Sequence, residues 1–498
     1  MTAVIKTHLP VFVVAAPLFV SFLLSPMARR FGWVQSLVVG VQGLGLLLAV
    51  YLAGMILKSS GVPIIYSMGG WPAPWGIELW TGSLGAFFLL VVAGVTLPIS
   101  LYAVNNLSDE VGDATRSTRF FVLYLLLAGV LAGMALTNDL FNIFVLVEVA
   151  TISCCGLVSA RRGPNAAKAA FNYLILATLG SGLILGGIGL VYMITGNLNM
   201  GFAGIALNGV WQDYPHVVWM AMSFFLVGFG VKAALFPLHV WLPDAHSTAP
   251  TPASAILSGL AVKGYIICLV KILFGVFEVH LLDVFRLDQI LVLLGMLAIL
   301  AGSILALAQG ELKRRLAFST VAQVGYIVLG FGLMNIKGVA GTLFYLASHA
   351  VIKSTLFLAA GALISATGKT HVKDFAGVGR KMPITMGVFS IASLGLVGIP
   401  LFSGFVGKWY LLLGSLEVGN LTAAGVIGIG SVLCAIYLFP IIRTAYFEPA
   451  PEDDWQDPGV PQRLALVMLG IAVIGLGVLP GPLLQLAQKA AADLLIIP

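Results

Sequence analysis

Charge is the scarcest property of this 498-residue chain: Asp, Glu, Lys and Arg make up 9% of it, against about 25% in an ordinary soluble domain. That shortage excludes a water-soluble globule, and 59% hydrophobic residues with a mean hydropathy of +1.04 place the chain in a membrane. Cysteine is sparse as well. The four present, Cys154, Cys155, Cys268 and Cys434, lack the spacing of an iron–sulfur motif or a C-x-x-C zinc site, so neither a metal cluster nor another cofactor is expected. Vicinal Cys154 and Cys155 read as small helix-packing residues. No basic run with interleaved aromatics underlies the formal charge of +6, which argues against a nucleic-acid partner.

What the chain has in abundance is long apolar runs. They fall at 9–28, 32–57, 81–104, 119–137, 139–159, 166–195, 216–242, 248–274, 286–309, 314–334, 338–366, 383–415, 420–446 and 463–486. At roughly 20 residues per crossing, these predict an all-α polytopic membrane protein of about 14 transmembrane helices, with almost nothing left for a soluble catalytic domain. The first run follows only Lys6 and His8 and lacks a small-residue cleavage site, so it reads as a retained helix. An even number of spans puts both termini on one side. Of the 26 Lys and Arg, 16 fall in one set of loops, among them Arg29, Arg30, Arg161, Arg162, Lys313, Arg314, Arg315, Arg380 and Lys381. The other set takes only Lys6, Lys58, Arg286, Lys337 and Lys489. The positive-inside rule then places both termini outside the cytoplasm of an inner or plasma membrane. Ser59–Trp80, with Trp71, Trp75 and Trp80, reads as an interfacial aromatic hairpin on the external face, and Glu448–Asp457 as an acidic cytoplasmic loop.

Five lysines remain inside spans: Lys232, Lys263, Lys271, Lys353 and Lys408, joined by Glu148 and His349. A charge at mid-span costs roughly 2.5–3.5 kcal/mol, so such groups face a bundle interior and mark ion paths. Lys271, near a helix end, reads instead as a side chain that snorkels to the interface. Glu148 has no neutralising neighbour in its own helix, and Lys232 is its natural partner, since each favours the ionised form of the other. Separating the pair would release a proton. Pro237 lies five residues after Lys232 and is expected to break the seventh span beside the charge. A similar break is expected at Pro400, among Gly395, Gly398, Gly404 and Gly407, before Lys408. His349 and Lys353 are four apart and share a helix face, where histidine suits proton relay; a buried histidine satisfied by packing is the competing reading. His239 and His246 flank the cytoplasmic end of the seventh span as candidates for proton access. With Asp244 they would suggest zinc, but the seven-residue spacing and the prolines fit no regular ligand pattern.

The stretch from Lys232 through Pro237-Leu-His239-Val-Trp-Leu-Pro-Asp244-Ala-His246-Ser-Thr-Ala-Pro-Thr-Pro, with Leu312-Lys-Arg-Arg-Leu-Ala-Phe-Ser-Thr-Val-Ala-Gln-Val-Gly-Tyr326, resembles the antiporter-like subunits shared by Mrp-type cation/proton antiporters (their D-type member above all), respiratory complex I (NADH-quinone oxidoreductase) and membrane-bound hydrogenases. The resemblance covers roughly residues 85–445. It implies two inverted five-helix repeats with helices seven and twelve broken. The divisions would be 1–118 for helices 1–3 with the hairpin, 119–275 and 285–447 for the repeats, and 448–498 for the acidic loop and helix 14. It also implies that Glu148 and Lys232 form the family's ion pair and that Lys263, His349, Lys353 and Lys408 continue a hydrated proton-transfer chain along the midplane. Partners would be other membrane subunits of one complex, with H⁺ and possibly Na⁺ as cargo and lipid around the chain. Sodium wants oxygen ligands, and Glu148 is the only carboxylate deep in a span, so a sodium site is expected in a partner or at an interface. Length favours the compact members, and Lys408 argues against the subunit type with glutamate there. The Leu-Pro-Asp-Ala-His segment is closer to complex I and hydrogenase members, leaving the choice among complexes open. Redox chemistry on quinone or hydrogen finds no flavin, haem or nickel–iron motif, and an inert scaffold would not carry seven intramembrane ionisable groups.

Overall fold

A computed structural model describes residues 2–28, 30–59, 62–450 and 454–495. Arg29 of the positive loops, residues 60 and 61 of the hairpin connection and residues 451–453 of the acidic stretch lie outside the described residues. Thirteen described helices are long and apolar enough to cross a membrane. They fall on thirteen of the expected apolar runs; at 383–415 two shorter helices, Pro383–Val397 and Ser403–Glu417, share the run. The chain is a polytopic helical bundle.

Both expected breaks are present. Pro215–Lys232 ends at Lys232, and an irregular stretch containing Pro237 precedes the short Leu242–Thr248 helix. Proline lacks the N–H a continuing ladder needs. The Trp241 indole N–H donates to the buried carbonyl of Val231 at 2.9 Å, which ties the helix end to the stretch that follows it. In the later break, Gly398 has φ +93° and Leu401 φ +78°, left-handed backbone that no helix continues through. Helix eight carries an unanticipated feature: between Thr251–Ile256 and Val262–Gly275 its backbone widens into one π-helical turn, Leu257–Ala261.

The last apolar run departs from expectation. Instead of one span over 463–486, Val460–Val478 stops at Leu479-Pro480, and a separate helix, Gly481–Leu495, follows. Prolines at 480 and 482, two residues apart, remove two backbone donors from one turn and favour a break there. The second piece buries Leu483, Leu486, Ala487, Ala490, Ala491 and Leu494 along one face, against the Ser83–Val111 and Ile336–Thr367 helices.

The connections sort onto two opposite faces. On one, strands Ile64–Ser67 and Glu78–Thr81 form the expected hairpin, with Trp71 and Trp75 exposed. Glu78 there accepts from Asn138 at 2.8 Å and Asn199 at 2.9 Å, tying three connections together. On the other, Arg314 pairs with Asp244 at 2.9 Å and Glu311 bridges to His371. Alternating spans require this sorting.

Candidate functional site

Glu148 and Lys232 meet as expected. Leu140–Ser159 carries Glu148, and the last turn of Pro215–Lys232 carries Lys232, with Nζ 3.3 Å from Oε1 of Glu148. The lysine is fully buried, whereas the glutamate side chain is 31% exposed at the flank of the bundle. Two hydroxyls complete the cluster: Thr151, one turn along from Glu148, accepts from Lys232 at 2.5 Å, and Ser181 donates to Glu148. Neither hydroxyl was singled out from the sequence, because serine and threonine in apolar helices mostly bond their own backbone; Thr151 also donates to the Val147 carbonyl.

Lys263 and Lys353 do not touch, but one polar seam runs between them. Lys263, fully buried, donates to the Ser258 carbonyl, which belongs to the π turn of its own helix. The Ser258 hydroxyl lies 2.9 Å from that of Thr320 on Leu312–Gly332. Thr320 donates to the Leu316 carbonyl at 3.1 Å, and that oxygen also accepts from Lys353 at 2.8 Å. Lys353 further donates to the Ser319 hydroxyl. Residues 316, 319, 320, 323 and 326 recur at helical spacing and form one polar stripe. Leu312–Gly332 is the least apolar of the thirteen long helices and almost wholly buried. The low hydropathy was the available sequence signal for Ser319, Thr320 and Gln323.

The stripe continues to the second break. Gln323 accepts from the Tyr345 hydroxyl and donates to that of Tyr437 at 3.3 Å. His349 is buried, its ring parallel to that of Tyr345 with centroids 6.1 Å apart. Lys408 donates to the carbonyls of Leu396 at 2.9 Å and Val397 at 3.1 Å and to the Ser431 hydroxyl at 3.1 Å. Its ammonium also stands 4.5 Å from the Tyr326 ring centroid, a cation–π contact.

The remaining candidates are placed differently. His246 is fully buried and stacked on Phe357 at 4.7 Å, and His239 packs against Phe236 and Phe318; Asp244, between them in sequence, is taken by Arg314. Lys271, half-buried, reaches the end of a neighbouring span beside the hairpin connection. Its ammonium donates to the carbonyls of Met134, Ala135 and Thr137, the C-terminal end of Ala114–Leu136, where the helix dipole favours a cation.

A many-helix membrane bundle with buried lysines in a row and one cross-helix carboxylate has the makeup of an antiporter-like subunit. Residues 137–434 match the family described as NADH:quinone oxidoreductase/Mrp antiporter, TM. The chain is 38% identical over 487 residues to NADH-quinone oxidoreductase subunit N of Desulforudis audaxviator, covering 95% of each protein. Among solved structures, it is similar to a chain of the membrane-bound sulfane sulfur reductase, an archaeal respiratory membrane complex, with TM-score 0.90, 30% identity and 98% of each chain covered. It is also similar to a chain of the Mrp complex from Dietzia sp., with TM-score 0.90, 27% identity, and 99% of this chain and 98% of that one covered. The chain belongs to the NADH:quinone oxidoreductase/Mrp antiporter family.

Proposed function

We infer that this subunit moves protons along its buried row of ionisable groups within a multisubunit membrane complex. The observation that carries the reading is the seam Lys263–Ser258–Thr320–Leu316–Lys353, hydrogen-bonded at every step across the middle of the bundle. Carbonyls only accept, so they hold the lysines in line; hydroxyls and water accept and donate in turn and pass the proton. Glu148 and Lys232 act as a switch: drawing them apart removes the charge that keeps the lysine protonated. Residues 119–275 and 285–447 act as two inverted repeats, with 1–118 and 448–498 flanking them. The face carrying Arg314 and Arg380 is cytoplasmic, both termini lie on the other side, and the host is a cell inner or plasma membrane. Protons come in past His239 and His246, pass Lys232, Lys263 and the His349–Lys353 face, and leave near Lys408. Cysteines placed at 263 and 408 in a chain without native cysteines test the direction: an impermeant thiol reagent should label 408 from outside, and labelling from the cytoplasm would reverse the exit.

Two host complexes fit. Likeness to the Dietzia Mrp chain favours a cation/proton antiporter, in which sodium would use a site in a partner subunit. Higher identity to a quinone oxidoreductase subunit favours a redox-driven proton pump, with the redox centres elsewhere in the complex. Either host requires the same path. Glu148→Gln and Lys232→Ala should each abolish proton flux in vesicles while complex yield is kept, because they remove charge and little core volume. A variant that assembles and transports at the native rate would contradict the switch.

A further inference from the structure

The Pro383–Val397 helix is held by charge at both ends. At its start, the Asp457 carboxylate accepts from the backbone N–H groups of Ile384 at 3.0 Å and Thr385 at 2.9 Å and from the Thr385 hydroxyl at 2.7 Å. At its end, the carbonyls of Leu396 and Val397 accept from the Lys408 ammonium. These are the groups a helix cannot satisfy by itself, and the dipole favours an anion at the first end and a cation at the second. Met382, at the N-cap position, offers no side-chain oxygen, so the cap comes from more than 70 residues along the chain. The segment bearing Asp457 is itself docked: Trp455 is buried, and the Lys369 ammonium stands 4.7 Å over its ring.

We propose that Asp457 is a positioning residue for Lys408, acting through the Pro383–Val397 helix. The inference rests on Lys408 belonging to the proton path. A helix of 15 residues is about 22 Å long and moves as a unit. The carboxylate fixes its first turn, the first turn fixes where the Leu396 and Val397 carbonyls stand, and those carbonyls hold the ammonium. The seam thereby gains a handle on its face near Arg380, remote from the lysine it sets. Movement of the Asp454–Gly459 segment draws the carbonyls off Lys408 and interrupts the path.

The test is proton flux by the whole complex reconstituted in vesicles, measured with complex yield and thermal stability. Asp457→Ala should cut flux roughly tenfold or more, the scale on which small misplacements of a positioned group act, at a yield close to native. Asp457→Asn, which keeps one acceptor for Thr385, should restore most of the flux, and Thr385→Val should fall between. Asp454→Ala, on the exposed side of the same segment, should transport normally. A purely structural role would lower yield and flux in proportion, and that result, or native flux in Asp457→Ala, overturns the proposal. If Asp457→Ala does not assemble, Thr385→Val decides alone: partial loss per assembled complex supports the proposal, and the native rate overturns it. Lys408→Ala separates the two levels. Its loss of flux beside native flux in Asp457→Ala would sink only the positioning role, whereas native flux in Lys408→Ala would sink the path itself.

Discussion

Lys232 and Lys408 stand beside the two broken helices, and the bundle stabilises them by different means. Lys232 closes the first half-helix and turns sideways to a carboxylate, Glu148, and a threonine hydroxyl. Lys408 sits on the second half-helix and reaches back to the carbonyl end of the first, with Ser431 and the Tyr326 ring around it and, among the described residues, no carboxylate in contact. The first arrangement sets a full charge against a charge. The second sets a charge against dipoles, equivalent to about half a unit charge at a helix terminus. A proton leaving Lys232 therefore strands a glutamate whose other hydrogen bond comes from Ser181, which ties that step to the position of Glu148. A proton leaving Lys408 strands no anion, so its charge can change without a partner having to move.

The largest effect is expected from giving the second lysine what the first has. Ser431→Asp would put a carboxylate beside Lys408, hold the ammonium charged, and slow proton flux by roughly tenfold or more at normal yield, since an adjacent opposite charge shifts a titration by about one to three units. Native flux would mean that the absence of a counter-charge there has no consequence. Thr320→Val cuts the one side-chain bond joining the Ser258 hydroxyl to the stripe. The loss of a buried hydrogen bond worth about 1 kcal/mol predicts a flux lower by about fivefold, with both broken helices intact by thermal unfolding. Trp241→Phe removes the indole that closes the first break and has no counterpart at the second. It should destabilise the protein by about 1 kcal/mol, seen as a lower melting temperature, while flux per assembled complex changes little.

The smallest effect lies outside the membrane. Asp113 caps Ala114–Leu136 by accepting from the Arg116 backbone N–H at 2.9 Å, and that bond, followed by the Thr115 backbone N–H and then the Arg116 and Arg162 charges, holds its carboxyl below the ordinary value. Its contribution to stability is therefore fully present above the ordinary carboxylate range and is lost as pH falls through the lowered value. The melting temperatures of native protein and Asp113→Ala should differ slightly at neutral pH and converge in acid; divergence in acid would contradict the sign.

Much of this was legible in the sequence, for physical reasons. A charge inside an apolar run is costly enough to be informative alone, so Glu148, Lys232, Lys263, Lys353 and Lys408 stood out, and Pro237 and Pro400 marked both breaks. The hydroxyls did not stand out. Ser348 and Thr355 bond their own helix carbonyls as most such residues do, and Ser258 and Thr320 are set apart only by the helix facing them. Nothing in Leu257–Ala261 announces a π turn. The partners of Lys271 are backbone carbonyls of another helix and those of Asp457 are the N–H groups of a helix start more than 70 residues away, so neither contact shows in the local sequence. The terminal helix was missed although Pro480 and Pro482 signalled it.

On this mechanism protons cross from one half of the bundle to the other through the Lys263–Lys353 seam. The most direct measurement is proton flux in reconstituted complex carrying Lys263→Met, which keeps much of the side-chain volume and removes the ammonium. Normal assembly with loss of flux is the predicted result, at least roughly a hundredfold if no other group lies within transfer distance. Normal assembly with native flux would show that the path between the halves does not run through this lysine.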